Sequence, residues 1–476
     1  MELLIRQIED GGDQVKTEAN QMLLNDLAIK AKSNNRIDPD FYEKYNVKRG
    51  LRNSNGTGVL VGLTEIGNVV GYDIEDNKKV PTDGRLYYRG VEVSDLVQGF
   101  QADQRRGFEE TAYLLLFGVL PTADELASFC HLLDACRTLP DGFTENMILK
   151  IPSSDIMNKL MRSILVLYSH DKDPDNTTVR NVLEQSIRLI AQFPTIISYG
   201  YQAKSHYFNN NSLFIHKPRP GIGTAENILH MIRADNKYSK VEAETLDLSL
   251  VIHAEHGGGN NSTFATHVVS SSGTDTYSAM SAAVGSLKGH KHGGANNRVR
   301  DMILNIRETV PNWDDRGVLK DHLYKIIKKE AYNREGLIYG MGHAVYTKSD
   351  PRAVLLKKKA FELALEKDAI KNYTLYNNIE ELTKELFFEL KGPEAHIAAN
   401  VDLYSGFVYE MLNIPNELYT PLFATARIAG WSAHRIEQIV SDQKIIRPAF
   451  KTVNDEVAYQ ALADRRKPLK SSKEAI

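Results

Sequence analysis

TPLFATARIAGWSAHRIEQIVS, Thr420 to Ser441, places proline near its start and then repeats Leu422, Ala426, Ala429, Ala433, Ile436 and Val440 at steps of four and three. That period is the helical one, so the stretch predicts a helix of about twenty residues with one apolar face. Proline suits a helix start, where the missing N–H has no partner to lose. The same signal recurs upstream. FEETAYLLLFG stops at Gly118 with Pro121 behind it, a helix terminus. DTYSAMSAAVGSLKG is rich in Ser, Ala and Gly, so its helix can approach its neighbours closely before it ends at Gly289. One region alternates instead: GVLVGLTEIGNVVGYDIEDNKKVPTDGRLYYRG, Gly58 to Gly90, predicts one or two short strands. The expectation is a mostly α-helical protein with a short β element near the N-terminus.

The first residues are charged and amphipathic until GLRNSNGTG, Gly50 to Gly58, interrupts them with glycine and asparagine, as a linker does. Residues 1–57 therefore read as a helical N-terminal extension, and RRKPLKSSKEAI at the other end reads as a loose polar tail. At 476 residues the chain is long enough for a large core and a smaller lobe. Lys plus Arg (58) nearly balance Asp plus Glu (61), leaving no broad basic field for a nucleic-acid backbone. Two cysteines, Cys130 and Cys136, sit six residues apart on different helix faces, which excludes a disulfide scaffold and suits a reducing compartment. The longest apolar block, Ala112 to Pro121, is about half a membrane span. The start of the chain also lacks a secretory pattern, so the expectation is a cytoplasmic protein with no membrane partner.

Five of the fourteen histidines, His253, His256, His267, His290 and His292, fall within forty residues. The cluster contains no HExxH pair and no cysteine help, so the expected metal ligand set is none. His253, His267 and His290, taken singly, are as well explained as polar residues at helix ends. His256 and His292 differ because glycines flank them, and a residue without a Cβ lets backbone and ligand come close. A third imidazole, His343, follows Gly336, Gly340 and Gly342 in GLIYGMGHAVYTKSDPR, whose glycine spacing does not fit a dinucleotide-binding turn. Arg352 stands behind Asp350 and Pro351, where a guanidinium can take a carboxylate through two parallel bonds. Asp402, in ANVDLYSGFVYEML, is explained either as a helix cap or as a working acid. Arg427 lies among small residues in a packed helix and needs an anion, whereas Arg447 in KIIRPAF is equally explained by surface charge. Three imidazoles, one acid and three arginines suit the condensation of two carbon acids. A carboxylate would remove a C–H proton, one imidazole would hold the enol oxygen, and another would activate the carbonyl under attack.

The chain resembles the citrate synthases. The resemblance rests on GRLYYRG, FEETAYLLLFGVLP, AENILHMI, HAEHGGGNNST, SSGTDTYSAMSAAVGSLKGHKHGGAN, GMGHAVYTKSDPR, NVDLYSG, FATARIAGW and IIRP, which follow in order from about residue 60 to about residue 448. It implies a two-domain helical fold: a large domain from 58–296 and 406–476, and a small domain, 297–405, closing over a cleft. It implies a homodimer with oxaloacetate and acetyl-CoA as substrates, acetyl-CoA being a co-substrate, and with no cofactor. By motif, Asp402 matches the family's base, His292 the holder of the acetyl-CoA carbonyl, and His343 the donor to the oxaloacetate ketone. His256, Arg352, Arg427 and Arg447 match the carboxylate binders, the last acting across the subunit interface. Gly340, Gly342 and Lys348 are the implied CoA contacts, with Lys348 substituting for an arginine that some relatives carry where Thr347 stands. Ala399 replaces the family's usual proline before NVD, which implies a looser turn. The alternatives are a 2-methylcitrate synthase acting on propionyl-CoA, a citryl-CoA lyase, a zinc hydrolase built on the clustered histidines, and a helical binding protein without catalysis.

Overall fold

The computed structural model describes residues 18–53, 56–76, 78–392, 394–441 and 444–465. The loose-tail reading of the C-terminus falls almost wholly outside these residues, as does the first part of the N-terminal extension. The chain divides into two compact units, one spanning Val61–Ile446 and the other joining the residues before Val61 to those after Ile446.

In the smaller unit, α1 (Glu18–Asn34) and α2 (Asp40–Lys44) precede a one-turn helix at Arg49–Leu51. The Lys451 ammonium lies 5.6 Å from the centre of the Tyr45 ring. The apolar residues Leu23, Leu24, Leu27 and Ile29 of α1 are exposed, as are Phe450, Val457 and Tyr459.

The larger unit opens with a three-stranded antiparallel sheet, β1 (Gly67–Glu75), β2 (Lys78–Tyr88) and β3 (Val91–Glu92), in the order β1-β2-β3. A two-residue third strand thus extends the one or two expected from alternation. It escapes a pattern-based reading because two residues carry no period. The helices follow: α3 (Val93–Ala102), α4 (Phe108–Phe117), α5 (Ala123–Cys136), α6 (Ile156–Tyr168), α7 (Val179–Asn209), α8 (Thr224–Ile232), α9 (Lys240–His253) and α10 (Asn261–Ser270). After these come α11 (Thr276–Lys288), α12 (Ala295–Thr309), α13 (Arg316–Ile327), α14 (Pro351–Glu366), α15 (Ile370–Lys391), α16 (Val401–Met411) and α17 (Tyr419–Ser441). α4 ends as its sequence predicts, on Gly118 in the left-handed conformation with φ 81°. No helix among the described residues is long and apolar enough to cross a membrane.

The opening stretch forms α17, but its surroundings differ from the one-faced helix that its periodicity predicts. From Tyr419 to Arg435 every residue except Phe423 is buried, on all sides, among α4, α7, α9, α10 and α11. Arginine, histidine and serine on the second face are therefore inside the protein, where each needs a partner. Gly430 makes the closest approach: a Cβ there would stand 2.4 Å from the Ala254 carbonyl oxygen. This is how α17 comes to lie directly against the segment that carries His253, Glu255 and His256.

Candidate active site

Three segments deliver the imidazoles. His256 follows α9, and its neighbour Glu255 accepts a hydrogen bond from the Gly257 N–H, which ties the turn back on itself. His256 Nε2 is buried and has no hydrogen-bond partner among the described residues. Burial pushes its pKa well below the ordinary value, and the charges of Arg352 and Arg427 push the same way, so the ring is neutral. His292 follows α11, with its Nε2 3.0 Å from Ser262 Oγ at the start of α10. The Trp431 indole N–H donates to the same oxygen from α17, at 3.2 Å. Burial, with help from Arg427, lowers the His292 pKa to about 4, so this ring is also neutral near pH 7.

His343 has a fixed tautomer. The backbone N–H groups of Val345 and Tyr346 both donate to its Nδ1, each at 3.1 Å, so the neutral ring carries its proton on Nε2. Its ring stacks on Tyr346 with centroids 4.7 Å apart, and the His256 ring stands edge-on to it at 5.2 Å. The structure thus brings His256 and His343 together from residues far apart in sequence.

The acid is laced to the same loop. Met341 and Ala399 form an antiparallel bridge, the Gly342 N–H donates to the Ala398 carbonyl at 2.7 Å, and the Asn400 N–H donates to the Gly340 carbonyl at 2.8 Å. Asn400 Nδ2 adds a bond to the Gly342 carbonyl at 2.9 Å. Gly340, with φ +84°, is required here because a Cβ would sit 2.9 Å from that of Leu403. Alanine at position 399 therefore sits in a turn pinned by three hydrogen bonds. The helix-cap explanation of Asp402 fails, because Asn400 caps α16 and its Oδ1 accepts the Asp402 N–H at 3.0 Å. The Asp402 carboxylate is left for other work. Burial raises its pKa to about 6, against the lowering pull of Arg352 and a hydrogen bond with Asn296.

Two arginines complete the set. Arg352 donates through Nε and Nη2 to the two oxygens of Asp350, at 3.0 and 2.7 Å, a buried two-pronged ion pair at the start of α14. Burial opposes its charge, but Asp350 more than compensates and raises its pKa above the ordinary value. Arg427 is fully buried, with Nε bonded to the His253 carbonyl at 2.6 Å and its guanidinium 4.6 Å from the Phe423 ring. Burial lowers its pKa to about 10, which leaves it charged at neutral pH. Neither of its terminal nitrogens has a hydrogen-bond partner among the described residues. Arg352 acts electrostatically on Asp402, His256 and Arg427, so these four groups share one polar interior.

The other residues that the sequence singles out are either exposed or already hydrogen-bonded. His253 is buried and spends its Nδ1–H on the Ser249 carbonyl at 2.6 Å, and His290 is exposed. Lys348 is exposed, and the carbonyls of Gly340 and Gly342 are engaged by Asn400. Arg447 is exposed and belongs to the smaller unit. Ser262 and Trp431 escape a reading of the sequence, because a serine and a tryptophan far apart in the chain give no sign that they meet.

The protein-family model for the citrate synthase C-terminal domain matches residues 54–449. A citrate synthase of Haloferax volcanii is 33% identical over 406 residues, covering 84% of this chain and 94% of the relative. 2-Methylcitrate synthase 1 of Corynebacterium glutamicum is 32% identical over 407 residues, with the same coverage of 84% and 94%. Among solved structures, the citrate synthase of Thermoplasma acidophilum in ternary complex with carboxymethyl coenzyme A and oxaloacetate aligns with TM-score 0.69 and 28% identity, over 86% of this chain and 97% of that one. The helical fold, the ordered motifs and these matches agree: the chain belongs to the citrate synthase family and is an enzyme that transfers an acyl group by condensation.

Proposed function

We propose that the protein condenses acetyl-CoA with oxaloacetate and hydrolyses the resulting citryl thioester to citrate and free CoA. The observation that carries this reading is a pair of buried groups suited to a carboxylate: the terminal nitrogens of the charged Arg427 and Nε2 of the neutral His256 have no hydrogen-bond partner among the described residues. An unpaired buried guanidinium costs several kcal/mol, a deficit that a dicarboxylate substrate removes.

In this reading Asp402 takes a proton from the acetyl methyl group while neutral His292 donates to the thioester oxygen and holds the enol. Ser262 has one hydroxyl proton and two acceptors within reach, Asn260 Oδ1 at 2.9 Å and His292 Nε2 at 3.0 Å. When it serves His292, the ring's own proton lies on Nδ1, free to donate. The enol carbon attacks the ketone of oxaloacetate, and His343 Nε2–H donates a hydrogen bond to its oxygen, which takes up the proton released from the methyl group as the C–C bond forms. Water then cleaves the thioester. No step in this scheme uses a cofactor. Arg352, Arg427 and His256 hold the carboxylates, joined by Arg447 of the partner subunit. The dimer is supported by the exposed leucines of α1 and the exposed Phe450, Val457 and Tyr459, apolar surface of the kind an interface covers. The small domain, 297–405, would carry His343, Arg352 and Asp402 onto the bound substrates, and the CoA contacts would come from the segment around Lys348. A cytoplasmic location is supported by Cys130 and Cys136, both free thiols, as a reducing compartment keeps them.

The second reading, a 2-methylcitrate synthase, stays open because relatives of both kinds match equally well. Release of CoA from oxaloacetate is the test, with acetyl-CoA and propionyl-CoA side by side. One methyl group is discriminated by about 1–3 kcal/mol in an apolar pocket, so a preference of about tenfold or more for acetyl-CoA is expected. Parity, or a preference for propionyl-CoA, would move the assignment to 2-methylcitrate; silence with both would overturn the mechanism.

The pH profile follows from Asp402. Its carboxyl must be ionised to accept a proton, and its pKa stands at about 6. Below that value kcat/KM is expected to fall by about a factor of ten per pH unit, and above it to level off. A profile flat from pH 5 to pH 8 would remove Asp402 as the base.

A further inference from the structure

We propose that His267, His434 and Glu437 form a binding site for a divalent transition-metal ion of the zinc class, separate from the imidazoles that serve the condensation. His434 and Glu437 lie three apart on α17 and so share a face, and His267 meets them from α10. His267 Nε2 lies 3.1 Å from His434 Nδ1, and Glu437 Oε2 lies 3.7 Å from the same nitrogen. All three atoms fall within 4.8 Å of one another. Ligands about 2.1 Å from a tetrahedral zinc ion stand about 3.4 Å apart, so the spacing already matches. Among the described residues no other group of three such side chains converges in this way.

A polar partner stands behind the far atom of each ligand, for His434 as an ion-pair contact without a hydrogen bond. His434 Nε2 is 3.0 Å from Glu255 Oε1, His267 Nδ1 is 2.9 Å from Gln438 Oε1, and Glu437 Oε1 accepts the Glu65 N–H at 2.7 Å. Acceptors behind the imidazoles and a donor behind the carboxylate are what orient ligands toward a metal. Glu437 Oε2 itself is buried without a hydrogen-bond partner among the described residues. Two imidazole lone pairs cannot face each other at 3.1 Å, so in the ion-free chain a proton occupies that line, and the metal takes its place. An open cleft lined by Thr64, Glu65, Gly67, Asn68, Tyr87 and Gly90 shares Thr64 with the cluster, and Thr64 Oγ1 is 3.5 Å from His434 Nδ1. That hydroxyl is placed to supply a fourth ligand.

This departs from the sequence expectation of no metal ligands. The expectation weighed His267 against histidines close to it in sequence, whereas its partners arrive from α17, more than 160 residues later.

The test is calorimetric titration of the dialysed full-length protein with zinc chloride, with the visible absorption of bound Co2+ reporting the geometry. It needs no turnover, so it stands independently of the acyl chemistry. One ion per chain is expected, with affinity lowered at least 100-fold in both His267→Gln and Glu437→Gln. Gln438→Leu, which removes the acceptor behind one ligand, is expected to weaken binding about 10–100-fold with the fold intact by circular dichroism. Absence of saturable uptake would overturn the site. So would uptake that survives both ligand substitutions, since zinc would then be bound elsewhere.

Discussion

Asp402→Asn is expected to lower kcat by about 10²–10⁴-fold, the range supplied by a positioned general base. The substitution keeps the size of the side chain and removes only its ability to take a proton. Asn400, not Asp402, caps α16, so helix stability is left alone. The oxaloacetate side of the site also remains, because Arg352 keeps its bond pair with Asp350. Affinity for oxaloacetate, measured by protection against thermal unfolding, should therefore stay within a few-fold of the parent. A variant retaining near-full turnover would remove the assigned base. Lost turnover together with lost oxaloacetate binding would show that the acid supports the pocket instead.

Arg352→Ala is expected to cost about 3–5 kcal/mol of stability, because it strands the buried Asp350 carboxylate without its cation. Denaturant midpoints should fall while the slope stays unchanged. The pair variant Asp350→Asn/Arg352→Gln separates the two roles of the arginine. Asparagine still caps α14 and the neutral amides can bond each other, so stability should largely return. Oxaloacetate binding should not, since no guanidinium remains to meet a carboxylate. If the pair variant restored both, Arg352 would be a structural residue only.

The imidazoles and the acid of the candidate site were legible in the sequence because each sits beside a residue that announces a constraint. Glycines flank His256, His292 and His343, and Asn400 stands just ahead of Asp402. Their proposed roles come from the family pattern, and the meeting of His256 with His343 shows only in three dimensions. The periodicity of Leu422, Ala426, Ala429 and Ala433 located α17 correctly, yet it could not show that the opposite face was buried too. A polar face reads as solvated until the partners of Arg427, His434 and Arg435 are known, and those partners come from α9, α10 and the turns beside them. Asp350 illustrates the same limit at short range, because two residues of separation do not reveal that its carboxylate folds back onto Arg352. The third strand was invisible for want of length.

The arrangement of α17 has a consequence for how this protein can change over generations. Arg427, Trp431, His434, Arg435 and Gln438 each meet a different neighbour, at His253, Ser262, Glu255, Ser270 and His267 respectively. Single replacements along the helix disturb one of these meetings at a time. Insertion or deletion of one residue would turn everything beyond it by about 100° and break several at once. The helix thus acts as a ruler whose markings can be rewritten but whose length cannot, and lineages that diversify this protein must place their gains and losses of residues in the loops on either side of it.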